Sequence, residues 1–207
     1  EICKKWNIAL VEDAAESLGS YYKGKHTGSF GLLGTFSFNG NKTITCGGGG
    51  ALVTNDEDIA RKAKHLTTQA KTSHPWAFIH DEIGYNYRMP NLNAALACAQ
   101  LEQLDKFIEN KRELAHAYQQ FFRDKEAQFV TEISGAKANF WLNAILWENT
   151  ELRNAFLEKA NASGVMSRPA WELMHRLPMF QDAPRGHLGN SEYIADRLVN
   201  IPSSVRL

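Results

Sequence analysis

A chain of 207 residues with 23 Lys plus Arg against 23 Asp plus Glu carries no formal net charge, so no basic field recommends a nucleic acid as partner. The length suits one sizeable or two small domains; no apolar run approaches the roughly 20 residues of a spanning helix, and the first residues lack signal-peptide order, which leaves no membrane partner expected and the cytoplasm as default compartment. Cys3, Cys46 and Cys98 are odd in number and widely spaced, a pattern that predicts buried free thiols rather than a disulfide framework or a zinc site, and no metal is expected.

In chain order, the nearly continuous apolar run Ile8 to Val11 predicts a buried parallel strand over residues 7 to 13. Carboxylates at its end fall where α/β sheets present ligand-binding groups, which makes Asp13 a site candidate. Capping of the Ala14-Ala15 turn accounts for the same residue. A second strand over 33 to 38 runs into Asn39-Gly40-Asn41-Lys42-Thr43, followed by Cys46 and the run Gly47 to Gly50. A lysine at the mouth of a sheet, hemmed by small hydroxyl and amide side chains, is placed to form an imine with a carbonyl cofactor while its neighbours hold a phosphate, which suggests pyridoxal phosphate. A solvated lysine beside a glycine turn is the plainer reading of the same residues. A nucleotide-binding P-loop does not fit, because Asn41 separates Gly40 from Lys42 and the lysine precedes most of the glycines.

Residues 50 to 54 read as a third strand and 56 to 71 as a helix capped by Asn55 or Asp56, together the remnant of a large α/β domain. From Asn91 to Phe122, apolar residues recur at spacings of three, four or seven, predicting a long amphipathic helix with a break near Asn110. That helix is expected to bridge two domains, 1 to 110 and 111 to 207. Beyond it, 140 to 147 reads as a strand, 151 to 161 as a helix ended by Gly164, 165 to 171 as a strand and 191 to 198 as a final helix, which fits a small α/β domain. The histidines show no His-Glu-x-x-His spacing and no Gly-x-Ser-x-Gly elbow occurs, so zinc hydrolysis and serine acyl transfer have no footing. Trp141, Trp147 and Trp171 lack the basic setting of a nucleic-acid stacking platform and read as core or pocket wall.

Five ordered segments, Glu12-Asp13-Ala14-Ala15-Glu16-Ser17-Leu18-Gly19, Gly28-Ser29-Phe30-Gly31, Phe36-Ser37-Phe38-Asn39-Gly40-Asn41-Lys42, Gly48-Gly49-Gly50-Ala51-Leu52-Val53-Thr54-Asn55 and Gly84-Tyr85-Asn86-Tyr87-Arg88-Met89-Pro90-Asn91, resemble the DegT/DnrJ/StrS sugar aminotransferases. The similarity continues through Trp171 to Pro178 and Asn200 to Ser204, and is nearest the branch that aminates nucleotide-linked 4-keto-6-deoxy-N-acetylhexosamines toward legionaminic acid or bacillosamine type sugars. Family members are far longer. With no initiator Met and Glu1 to Trp6 reading as the tail of a helix, the chain is expected to be the C-terminal part of such an enzyme.

The resemblance implies an α/β, fold-type I, aspartate-aminotransferase-like architecture and a pyridoxal 5'-phosphate enzyme that moves an amino group from a donor, L-glutamate in the family, to a nucleotide sugar. It makes Lys42 the imine-forming lysine and Asp13 the partner of the pyridine nitrogen. Ser37 corresponds to the phosphate-binding serine, its hydroxyl facing the cofactor where strand alternation turns Phe36 and Phe38 into the core. Asn86 corresponds to the asparagine that reaches the phosphate of the other subunit, which implies a homodimer with shared active sites, although a turn role beside Gly84 suits it too. Glu16 stands where many relatives carry Gln near the ring hydroxyl, and its carboxylate must share a proton or point elsewhere. Asn39 replaces a histidine common in relatives and is a substrate-binding candidate with Arg88, Arg168, Trp171 and His175; Arg168 would pair with a diphosphate and Trp171 pack on a ring. Two other classes stay open: a non-catalytic remnant that cannot hold cofactor, and a sugar dehydratase on the same cofactor, against which Lys42 weighs because those relatives carry His in its place.

Overall fold

The computed structural model describes residues 1–206. In chain order its elements are α1 (Ile2–Lys5), β1 (Val11–Asp13), β2 (Tyr21–Tyr22), β3 (Lys25–His26), β4 (Leu33–Ser37), β5 (Gly50–Val53), α2 (Glu57–Thr67), α3 (Asn91–Leu101), α4 (Leu104–Phe122), β6 (Gln128–Phe129), β7 (Ala136–Lys137), β8 (Asn143–Leu146), α5 (Thr150–Ala162), β9 (Arg168–Pro169), α6 (Gly189–Ala195) and β10 (Leu198–Ile201). They divide into two units, Glu1–Ile108 with Ser134–Asn139, and Glu109–Ile133 with Phe140–Leu207. No described helix is long and apolar enough to cross a membrane.

The first unit is built on a three-stranded sheet in the order β1-β4-β5, with β1 parallel to β4 and β5 antiparallel to it. Alternation along β4 sends Phe36 toward a core of Phe38, Ile44, Cys46 and Ala97, against which Leu104 and Phe107 also pack. The expected buried strand over 7 to 13 shrinks to three residues at the edge of this sheet. Val11 is 57% exposed, because β1 pairs with β4 alone and no other described strand covers it. A second small sheet, β3-β2-β7, brings residues 136 and 137 back to Tyr21 and Tyr22.

Helix α2 starts as expected, with Asp56 accepting the Ile59 amide at 3.0 Å, but stops at Thr67 instead of 71. Gln69 and Ala70 take left-handed φ angles of 69° and 49°, and the Ala70 N–H returns to the His65 carbonyl, so the chain turns out of the helix there. The long helix breaks at Glu102-Gln103 rather than near Asn110, the Gln103 N–H bonding the Gln100 carbonyl three residues back. Asn110 stays inside α4 because its Oδ1 accepts the Arg206 N–H at 2.8 Å and does not compete for its own helix's amides. Of the cysteines, only Cys46 is buried; Cys98 lies on the exposed side of α3 and Cys3 is partly exposed.

The second unit is a four-stranded antiparallel sheet, β6-β8-β10-β9, with Ala127, Ile145, Val199 and Ile201 at its core and Tyr118, Phe122, Phe156 and Leu157 packed against them. Asn149 caps α5 by accepting the Leu152 amide at 2.9 Å, and Gly164 at φ 78° turns the chain after it. The strand expected over 140 to 147 is limited to 143–146, since Phe140 has a left-handed φ of 47° that pleated structure does not admit. The strand expected over 165 to 171 is limited to 168–169, the only two residues that pair with β10. The final helix spans 189–195, and Leu198 opens β10, whose alternation buries Val199 and Ile201.

Lys111 is buried in this unit, its ammonium donating to the carbonyls of Ser203 and Trp141. Burial pulls its pKa down from 10.5 to about 8. The unfolded chain therefore holds one more proton than the folded chain between about pH 8 and 10.5, so this group makes stability rise with pH across that window. Urea unfolding at pH 7.5 and pH 10 should show a gain of order 2 kcal/mol that Lys111→Met lacks. Identical pH slopes in the two proteins would refute it.

Candidate functional site

The parallel register places Asp13 abreast of Thr35, so the end of β1 and the end of β4 open on one edge of the first sheet. There the Asp13 Oδ1 accepts the Ala15 amide at 3.2 Å, the capping contact, while the residue itself remains exposed. Glu12, one position earlier and on the opposite face by alternation, is fully engaged: Oε1 accepts from Gly28 at 2.8 Å and Oε2 from Gly31 at 2.6 Å. That clamp needs close backbone approach, since a Cβ on Gly34 would lie 1.9 Å from the Gly28 carbonyl oxygen.

Ser37 ends β4 half-buried, its hydroxyl accepting the Asn39 amide at 3.3 Å, while Phe36 and Phe38 both contribute to the core. The chain then forms a loop in which the Lys42 N–H bonds the Asn39 carbonyl at 3.1 Å and exposed Asn39 donates to Asn41 at 3.2 Å. The Lys42 side chain is only 12% exposed and its ammonium is ion-paired with Glu16 in the turn after β1. Asp13, Glu16, Ser37, Asn39 and Lys42 are thus gathered by the ends of β1 and β4 and the loops that leave them.

Asn86 and Arg88, in the same unit, belong to a different surface. Asn86 bridges to Thr68 and, with Arg88, lines a cavity of about 930 Å³ formed with Thr35, Gly49, Leu66 and the stacked Tyr85 and Tyr87. Lys42, Asp13, Glu16 and Ser37 do not line it. In the second unit, Arg168 is exposed on β9, Trp171 is 70% exposed and parallel to Trp141 at 6.4 Å between ring centroids, and His175 bonds Glu192 at 3.1 Å. Among the described residues, His65, Asp81 and Glu82 are close enough to share a metal ion, but Lys62 already pairs with Glu82 and His65 with Asp81.

Two residues to which the sequence assigns no role shape the site. Glu12 is one, and nothing in the sequence separates its role from that of Asp13 beside it. Asn139 is the other: only 4% exposed, its Nδ2 donates to the carbonyls of Glu16 at 2.8 Å and Leu18 at 2.9 Å and reaches the Thr43 hydroxyl at 3.3 Å, while its N–H bonds the Ser20 hydroxyl at 2.9 Å. It acts across more than ninety positions of sequence, and no local motif marks it.

Comparison with known proteins places these residues in context. Residues 1–207 match the model of the DegT/DnrJ/EryC1/StrS aminotransferase family. The chain is 40% identical over 207 residues to a GDP-perosamine synthase of Escherichia coli O157:H7, covering 98% of the chain and 55% of that protein. It is 36% identical to a GDP-perosamine synthase of Vibrio cholerae, covering 98% and 56%. Among solved structures, Helicobacter pylori PseC, an aminotransferase involved in the biosynthesis of pseudoaminic acid, superposes with a TM-score of 0.93 at 25% identity over all of this chain and 57% of that one. The fold is the α/β, type I fold of these aminotransferases, and the chain spans little more than half the length of the relatives it matches.

Proposed function

The chain belongs to the DegT/DnrJ/EryC1/StrS aminotransferase family, and from that premise we propose that it carries the pyridoxal 5'-phosphate site of an enzyme that transfers an amino group to a nucleotide-linked 4-keto-6-deoxy sugar. The observation that carries this reading is the screened, carboxylate-paired amine of Lys42 at the sheet edge where Asp13 and Ser37 end their strands. The donor set suits the cofactor: an amine for its aldehyde, a carboxylate for its ring nitrogen, a hydroxyl for its phosphate. When bound, pyridoxal phosphate supplies an aldehyde that condenses with amines and a ring that takes up the electron pair left at the donor's α carbon.

In this reading Lys42 would hold the cofactor, and its amine would move a proton at the donor's α carbon. Asp13 would accept the ring N–H in a charge-assisted hydrogen bond that keeps the nitrogen protonated. Glu16 points at the Lys42 amine. Ser37 donates to the phosphate, joined by Asn86 of a second copy in a homodimer with shared sites. Asn39, Arg88, Arg168, Trp171 and His175 are assigned to the sugar nucleotide, with a guanine nucleotide favoured by the names of the relatives at 40% and 36% identity. The first unit, residues 134 to 139 included, then forms part of the cofactor-binding domain and the second unit the small domain, a division close to the expected boundary at 110 except for that return. L-Glutamate is the proposed donor and the cytoplasm the proposed compartment.

Titration of the protein with pyridoxal phosphate tests the reading. A visible absorption band that hydroxylamine abolishes, and that L-glutamate bleaches until a GDP-linked 4-keto sugar restores it, is the expected result. A protein that shows no such band at saturating cofactor is not this enzyme.

A further inference from the structure

Three stretches far apart in sequence meet at one buried amide. The turn after β1 carries Glu16 and Leu18, the loop after β4 carries Lys42 and Thr43, and the chain after β7 supplies Asn139. Two of the three acceptors of the Asn139 Nδ2 are main-chain carbonyls of the Glu16 turn, and the third is the hydroxyl next to Lys42. The amide therefore spans the same two stretches that the Glu16 to Lys42 ion pair joins at their side chains. Its own backbone is fixed as well, by the Ser20 hydroxyl on one side and by the left-handed Phe140, φ 47°, on the other. A non-glycine residue in that region persists only where its surroundings impose it, and such residues cluster at functional sites.

We propose that Asn139 is a positioning residue for Lys42: its amide sets the spacing between the Glu16 turn and the Lys42 loop, and through that spacing holds the Lys42 amine screened and aimed. The inference rests on the proposed function only in taking Lys42 as the cofactor-bearing lysine. Asparagine suits the task because its amide N–H groups donate to the Glu16 and Leu18 carbonyls, whereas aspartate of the same size would face those carbonyls with oxygen. The long return of the chain through residues 134 to 139 to the first unit brings it there.

Competitive acetylation of the cofactor-free 207-residue chain, read by mass spectrometry as the rate at Lys42 relative to exposed Lys64, measures the screening without any cofactor. Asn139→Asp and Asn139→Ala should each raise that ratio about three- to tenfold, the factor expected for losing a net hydrogen bond. The increment should shrink in a Glu16→Gln background, because both changes release the same amine. Hydrogen exchange at Ser17 to Gly19 and Thr43 should accelerate while Gly50–Val53 does not. Thr43→Val, which removes one acceptor and little else, should move the ratio in the same direction by a smaller factor and covers the case in which the Asn139 variants do not fold. An unchanged ratio in a folded Asn139 variant or in Thr43→Val, or equal acceleration at all lysines, overturns the proposal. A native protein that forms no adduct with pyridoxal phosphate would instead sink the proposed function and leave the acetylation ratios as the measure of Asn139.

Discussion

Lys42→Ala is expected to remove every borohydride-trappable bond to pyridoxal phosphate and to lower transamination by a factor on the order of 10⁴ or more, as loss of a covalent anchor and proton carrier does. The fold should survive. The main chain of the loop is held by the Lys42 N–H to the Asn39 carbonyl and the Cys46 N–H to the Phe38 carbonyl, neither of which involves the lysine side chain. The ion pair with Glu16, whose carboxylate is 45% exposed, contributes no more than about 1 kcal/mol. Mass spectrometry of the borohydride-treated variant, with a thermal melt alongside, checks both halves. An adduct that persists at another lysine would remove Lys42 from its role.

What the sequence made legible follows from how local each feature is. Strands β4 and β5 were readable because apolar and β-prone residues run up to Phe38 and resume after the glycines, α2 because Asp56 caps it through a contact three residues away, and α5 because Gly164 ends it. The two-residue strands β2, β3 and β7 were not, since Tyr21-Tyr22 is a strand only by pairing with residues 136 and 137, more than a hundred positions later. The apolar run Ile8 to Val11 promised burial, yet burial depends on what lies over the strand and not on the strand itself.

The same distinction runs through the site. Asp13 and Ser37 announce themselves by residue type at strand ends and Lys42 in the loop just beyond, and β1 and β4 in parallel register bring the two strand ends to one edge. The contact of Glu16 with Lys42 was invisible in the sequence, where the carboxylate was only known to need a partner or another direction; in the structure the lysine is the partner. Glu12 and Asn139 were missed for a different reason: each works through backbone amides or carbonyls, which have no sequence signature. Buried polar groups that satisfy main chain from a distance are where reading by motif stops.

Asp13 offers a test that separates its two readings, because asparagine preserves one and removes the other. The Asp13 Oδ1 accepts the Ala15 amide at 3.2 Å, and an asparagine Oδ1 in the same place accepts it as well, so Asp13→Asn leaves the turn capped. What it loses is the negative charge, and with it the ability to keep the ring nitrogen of a bound cofactor protonated; an uncharged ring is a poorer sink for the electron pair, a deficit felt in the transition state more than in binding. Turnover should therefore fall by about 10² to 10³, the range typical of removing one electrostatic stabiliser, while the dissociation constant for pyridoxal phosphate changes far less. Asp13→Ala should lose the cap too and melt lower, by roughly 1 kcal/mol of stability, than Asp13→Asn. Near-normal turnover of Asp13→Asn at saturating cofactor, with Asp13→Ala destabilised, would reduce Asp13 to a turn cap and leave the ring nitrogen to another residue.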